Sequence, residues 1–114
     1  MGLIDTIFDA VVNFINFVRG VIKTIITKIL NFMQHVVNYF RGLMLAPKKD
    51  VPFVAQGEEF KQMIKDAPVK NCGIFEAVYN EETDEIEHAE YIAADQLDAK
   101  TREILGNEKL VVLQ

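Results

Sequence analysis

The sequence predicts an α+β protein in which a long N-terminal amphipathic helix precedes a small α-β-β-α-β domain. Residues 3–46 follow an 11-residue repeat, and residues 57–114 alternate between strand-like and helix-like composition. Charge divides unevenly as well. Residues 1–46 contain two acidic and four basic residues, a formal charge of +2, whereas residues 47–114 contain 15 acidic and eight basic residues, a charge of −7. The two parts are therefore expected to have different surroundings.

The predicted helix rests on four consecutive segments, LIDTIFDAVVN, FINFVRGVIKT, IITKILNFMQH and VVNYFRGLMLA. Positions 3, 7 and 11 of each segment are polar or glycine, except Ala46, and positions 1, 2, 5, 8 and 9 are always apolar. Eleven residues make about three α-helical turns, so the apolar positions would form an arc of roughly 165°. The phase does not shift across Gly20, and Pro47 is expected to end the helix.

This pattern is similar to the 11-residue-repeat helices of apolipoproteins, perilipins and synucleins, over residues 3–46 only. The resemblance implies a helix that lies on a lipid surface. Residues of the arc are predicted to face lipid or other copies of the chain: Phe8, Val11, Ile15, Val18, Ile22, Ile25, Ile26, Ile29, Phe32, Met33, Val36, Val37 and Phe40. Four basic residues flank the arc and are expected at headgroup level: Arg19, Lys23, Lys28 and Arg41.

Such a helix would be about 66 Å long, more than the remaining chain can cover. The exposed apolar stripe therefore needs a partner. One solution is a membrane interface, and another is a right-handed bundle of several copies. A transmembrane pore is less favoured, because Arg19, Lys23 and Lys28 lie near the middle of the helix.

The rest of the chain predicts a linker over residues 47–56, with Pro47 and Pro52, and a small acidic domain over residues 57–114. GEEFKQMIKDAP is typical of a short helix. NCGIFEAVY and EIEHAEYIA are typical of strands, with NEETDE as the turn between them. DQLDAKTREILG predicts a helix that begins at the N-cap Asp95 and ends at Gly106, and KLVVLQ predicts a last strand.

No residue pattern predicts catalysis, a metal site or a cofactor. Cys72 is the only cysteine, and the acidic residues between 81 and 90 do not match a calcium-binding loop. The start MGLIDT lacks the basic region of a signal peptide, but Gly2 and Thr6 match the N-myristoylation pattern. Few bases and an acidic second half disfavour nucleic-acid binding.

We therefore expect a non-enzymatic, self-associating structural protein, peripherally associated with the cytoplasmic side of a membrane. Its expected partners are the lipid surface, other copies of itself, and a protein bound at residues 57–114. The alternative is a soluble oligomeric assembly subunit, such as a stalk, tube, filament or shell, with its helices in a right-handed bundle. A pore-forming protein is the third and least favoured function.

Overall fold

A computed structural model describes residues 2–17, 22–43, 45, 49–57, 60 and 70–113. The α+β class is confirmed, as an N-terminal helix followed by a five-stranded mixed sheet and short helices. The helices are α1 (Leu3–Phe17), a π-helix (Phe32–Val37), α2 (Asn38–Arg41) and α3 (Ala99–Leu105). The strands are β1 (Lys23–Leu30), β2 (Asp50–Gln56), β3 (Cys72–Asn80), β4 (Glu85–Leu97) and β5 (Leu110–Val112).

The prediction of one continuous helix over residues 3–46 is wrong. α1 ends at Phe17, and β1 begins at Lys23. Five of the eight residues of β1, KTIITKIL, are β-branched, and such residues favour strands over helices. Pairing with β4 then decides the conformation, because Leu30 becomes fully buried in this arrangement. No helix among the described residues has both the length and the apolar character to cross a bilayer.

The sheet has the strand order β1-β4-β3-β2-β5. β1 runs parallel to β4, and every other neighbouring pair is antiparallel. β2 occupies most of the predicted linker, so the assignment of residues 50–56 to a linker is corrected to an internal strand. Its residues alternate between the two faces, and Val51, Phe53 and Val54 are buried. Strands from both predicted parts of the chain therefore share one sheet.

Helices cover the sheet on both faces. On one face, which we call the α1 face, Ile7, Val11 and Ile15 of α1 pack against Phe53 and Phe75 of the sheet. The opposite face is covered by the π-helix, α2 and α3, and we call it the groove face. Its core comprises Leu30, Phe32, Val36, Phe40, Val54, Ile74, Val78, Ile92, Ala94 and Leu105. Because β3 is buried on both sides, its sequence is a nearly continuous apolar run.

Much of the predicted second half is confirmed, namely β3, the turn at residues 81–84, β4, α3 and β5. The N-cap of α3 is Asp98 rather than Asp95, because pairing with β1 continues β4 as far as Leu97. Gly106 does end α3, at a φ of 52° that suits glycine. The helix predicted from GEEFKQMIKDAP lies mostly outside the described residues.

Candidate functional site

An apolar groove of about 720 Å³ opens on the groove face. This volume lies within the range of ligand sites, roughly 300–1,000 Å³. The described residues that line it come mainly from the π-helix, α2 and α3, and from β2 and β5 beneath them. They are Phe32, Val37, Phe40, Arg41, Leu45, Pro52, Ile104, Val111, Val112 and Leu113. Nine of these ten residues are apolar, so the groove suits an apolar ligand.

Arg41 is the one charged residue among the described residues that line the groove. It is the last residue of α2, and it is exposed to solvent. A guanidinium group there can donate hydrogen bonds to a carboxylate or a phosphate at the mouth of the groove. The groove therefore combines an apolar wall with a single positive charge at its solvent side.

Asp98 connects the two helical walls of the groove. One carboxylate oxygen accepts hydrogen bonds from the backbone N–H and the hydroxyl of Thr101 in α3, the former at 2.9 Å. The other accepts from the backbone N–H of Phe32, at the start of the π-helix, at 3.0 Å. Burial alone would raise the pKa of Asp98, but these hydrogen bonds lower it below its ordinary value. The ionised carboxylate thus stabilises the relative position of both walls.

The π-helix begins with a local hydrogen-bond network. The Asn31 side chain accepts from the N–H of Gln34 at 2.9 Å, and the Asn31 N–H donates to His35 Nδ1 at 2.9 Å. Single-turn π-helices are rare and occur often at functional sites. Here the π-helix brings Phe32 and Val37 to the groove and Val36 into the core.

A buried pair of glutamates lies on the same face of the sheet. Glu76 of β3 and Glu90 of β4 are register partners, with exposed fractions of 0% and 5%. Neither carboxyl oxygen of Glu76 meets a hydrogen-bond donor among the described residues. Burial first, and then the neighbouring carboxyl of Glu90, raise the pKa of Glu76 to about 10. The carboxyl of Glu76 therefore holds its proton at neutral pH, which avoids a second buried charge beside Glu90.

A β-bulge stands next to this glutamate pair. The register between β3 and β4 changes between Glu76 and Val78, and His88 takes a φ of 55° there. Few residues other than glycine adopt this conformation without cost. The Tyr39 hydroxyl of α2 donates a hydrogen bond to the carbonyl of His88. Burial, together with the charges of Glu90 and Glu76, raises the pKa of Tyr39, so it remains a donor at neutral pH.

α2 links the groove to the glutamate pair. Tyr39 contacts the bulge, whereas the next two residues, Phe40 and Arg41, line the groove. The Tyr39 and Phe40 rings also contact each other edge to face, with centroids 5.1 Å apart. α2 thus contacts the bulge with one residue and the groove with the next two.

The predicted lipid-facing residues do not share one surface, which corrects the prediction of a single apolar arc. They belong to a helix, a strand and a π-helix that pack on different sides of the sheet. Val11, Ile15, Phe32, Val36 and Phe40 are buried, and Phe8, Ile22, Ile25 and Val37 are partly buried. Ile26, Ile29 and Met33 are exposed, and Val18 lies outside the described residues.

The four predicted headgroup-flanking bases are also separated. Lys23 and Lys28 are exposed on β1, Arg41 lies at the groove, and Arg19 falls outside the described residues. Four residues of these two predicted sets, Phe32, Val37, Phe40 and Arg41, line the same groove, and their contact with lipid or with other copies stays a prediction.

The glutamate pair and Asp98 were not predicted as special positions. Glu76 carries a signal that was open to sequence reasoning, because it shares the period-2 register of Ile74 and Val78 in an apolar strand. A charged residue at an inward-facing strand position indicates an unusual environment. No comparable signal marks Asp98, whose contact with Phe32 spans 66 residues of sequence.

No protein-family model, curated protein or solved structure matches this chain.

Proposed function

We propose that this protein is a non-enzymatic binding protein for an amphiphilic anion with one apolar chain and one carboxylate headgroup, as in a free fatty acid. The groove of about 720 Å³, apolar except for Arg41, is the observation that carries the proposal. An apolar chain would lie against Ile104 and Val111, and its headgroup would meet the arginine. This arrangement uses the hydrophobic effect for affinity and one ion pair for orientation.

The charge of the protein favours selectivity for such a ligand. The formal net charge of the chain is −5, so its surface as a whole repels anions. An anion without an apolar chain would contact only Arg41, and an ion pair with an exposed arginine contributes little binding free energy in water. An uncharged apolar molecule would gain only the hydrophobic contribution of the groove. The proposed ligand is the class that gains both contributions.

The membrane and assembly functions expected from the sequence stay predictions, without the long helix that suggested them. So does the expected absence of catalysis. Lipid remains the partner in this proposal, but as a single chain in a groove instead of a surface beneath a helix. Flotation with anionic vesicles tests the membrane prediction separately, because a groove that takes one free chain gives no reason for the protein to float.

Calorimetric titration with decanoate tests the proposed function. At roughly 0.5 kcal/mol per non-hydrogen atom, this small ligand should bind in the micromolar range. 1-Decanol should bind about fivefold to tenfold more weakly, because it lacks the ion pair, and acetate should not bind measurably. Decanoate that binds no better than acetate would contradict the proposal.

Two variants test whether the ligand binds in the groove. Arg41→Gln should lower the affinity for decanoate to that for decanol and leave decanol binding unchanged. Ile104→Glu puts a carboxylate on the half-buried groove wall and should abolish decanoate binding. Phe17→Glu introduces the same charge at an exposed apolar residue outside the groove and serves as the matched control. Equal losses in Ile104→Glu and Phe17→Glu would mean that the effect is one of net charge.

A further inference from the structure

We propose that the protein forms a symmetric dimer through the outer edge of β1, which pairs antiparallel with β1 of a second copy about a two-fold axis at Ile26. The result would be one continuous sheet of ten strands. This inference concerns a surface separate from the groove and does not depend on the ligand.

β1 presents a long edge to solvent. It has eight residues, and β4 is the only described strand that pairs with it. At the other edge of the sheet, β5 has only three residues. An edge strand leaves one row of backbone N–H and C=O groups open to another strand. The length of β1 makes it the edge that can form a stable ladder with another chain.

Apolar side chains concentrate along this edge. Ile26 is 60% exposed and Ile29 is 49% exposed, although most isoleucines of this chain are buried or half-buried. Met33, which follows shortly after β1, is also exposed. β-branched residues paired across two strands stabilise a sheet by roughly 0.2–1 kcal/mol per pair. Burial of these side chains would therefore add to the energy of the backbone ladder.

The positions of Lys23 and Lys28 on β1 are compatible with a register centred on Ile26. With Ile26 opposite Ile26 of the second copy, Thr24 lies opposite Lys28, and Lys23 lies opposite Ile29. Equivalent lysines are then separated by at least four residues, about 13 Å along the strand, which exceeds the Debye length of about 8 Å at physiological salt. Lys23 and the nearest Lys28 point to opposite faces of the sheet. Pairing about Ile26 thus places the two Ile26 side chains opposite each other and separates the lysines, either along the strands or onto opposite faces of the sheet.

The predicted dimer is weak. A single ladder of eight residues per copy buries less surface than a standard interface, so dissociation at micromolar concentration is expected. Sedimentation velocity from about 10 µM to 1 mM protein should show a mass that rises from one to two copies. Ile26→Lys places two like charges at the axis and should raise the dissociation constant at least tenfold. Phe17→Lys, at a residue that is 80% exposed next to the β3–β4 turn, should have no effect.

Disulfide trapping tests the register. In a Cys72→Ser background, Ile26→Cys should form a covalent dimer under mild oxidation, because the two residues are direct neighbours across the axis. Thr24→Cys and Lys28→Cys should each remain monomeric alone but should cross-link when they are mixed. Circular dichroism confirms that each variant is folded.

Three results would overturn the inference. The first is a monomer at every concentration, and the second is a dimer that Ile26→Lys does not weaken. The third is a folded Thr24→Cys variant that cross-links to itself as fast as Ile26→Cys does.

Discussion

Replacing Glu76 with glutamine should stabilise the protein at neutral pH. The carboxyl group of Glu76 is fully buried, faces Glu90 and holds its proton up to a pKa of about 10, whereas its ordinary value is 4.5. The folded state therefore keeps a proton that the unfolded chain releases above about pH 4.5. A glutamine has no such proton to lose, and its amide can donate a hydrogen bond to the Glu90 carboxylate.

The magnitude follows from proton linkage. Below pH 4.5 the proton is bound in both states, and Glu76 does not penalise folding. Between pH 4.5 and about 10, the folded state binds one proton more than the unfolded state, so the free energy of unfolding falls by about 1.4 kcal/mol per pH unit. Above about pH 10 the loss is complete. At pH 7 the cumulative loss of stability in the original protein is roughly 3 kcal/mol. Glu76→Gln removes this loss, but its imperfectly paired buried amide costs about 1 kcal/mol.

Urea denaturation at several values between pH 5 and 9 measures this effect. Glu76→Gln should raise the free energy of unfolding at pH 7 by about 2 kcal/mol, or the melting temperature by about 8 °C. Glu76→Gln should also remove most of the fall in the free energy of unfolding between pH 5 and 9. Glu85→Gln, at an exposed position in the same hairpin, is the matched control and should change neither quantity. Glu90→Gln should also stabilise, because it removes the neighbouring charge that helps to raise the pKa of Glu76, and the double variant should gain little more, because the two residues act on the same penalty. If Glu76→Gln and the original protein had parallel pH profiles, the raised pKa of Glu76 would be refuted.

Three further substitutions test other parts of the structure by the same denaturation assay. Asp98→Ala removes hydrogen bonds to Thr101 and Phe32, so it should lower the free energy of unfolding by about 2–3 kcal/mol and weaken decanoate binding. This difference in stability should vanish at acid pH, below the lowered pKa of Asp98, where the original carboxylate is itself protonated. An unchanged affinity would show that Asp98 does not position the groove walls. His88→Gly relieves the strain of the positive φ and should stabilise the protein by about 0.5–1 kcal/mol. Glu87→Gly, in the same strand, should destabilise it. Stability changes of the same sign in both variants would argue against strain at the bulge. Gly73→Ala places a Cβ against the buried hydroxyl of Tyr91 and should lower the free energy of unfolding by more than about 2 kcal/mol. Gly42→Ala meets only ordinary contacts at 3.6 Å and should be neutral. Equal effects of the two substitutions would refute the close packing at Gly73.

The elements predicted correctly from the sequence are those with strong local boundaries. The polar turn at residues 81–84 separates β3 from β4, and Gly106 ends α3. β1 was missed because its apolar residues also fit the helical repeat, and only pairing with β4 favours the strand. β2 was missed because Pro52 disfavours strands, although its carbonyl accepts a hydrogen bond from the N–H of Leu113 at 2.8 Å.

The candidate site could be predicted only in fragments. Phe32, Val37 and Phe40 were predicted to face lipid or other copies, and Arg41 to lie at headgroup level, on one long helix; they line one side of the groove instead. The other side of the groove comes from Pro52, Ile104 and Val111–Leu113, which are far away in the sequence. Long-range packing brings them together, and the local periodicity of a single sequence contains no information on that packing. The same limit applies to the bond between Asp98 and Phe32.

A methyl NMR titration with decanoate, on protein labelled at isoleucine, leucine and valine, shows whether the ligand binds in the groove. We expect saturable shifts at Ile104, Val111 and Leu113 on the groove, and no shifts at Ile7 and Val11 beneath α1. Contacts from the decanoate chain to these groove methyl groups should disappear in Ile104→Glu. Shifts spread evenly over both faces of the sheet, or none at saturating decanoate, would contradict the account.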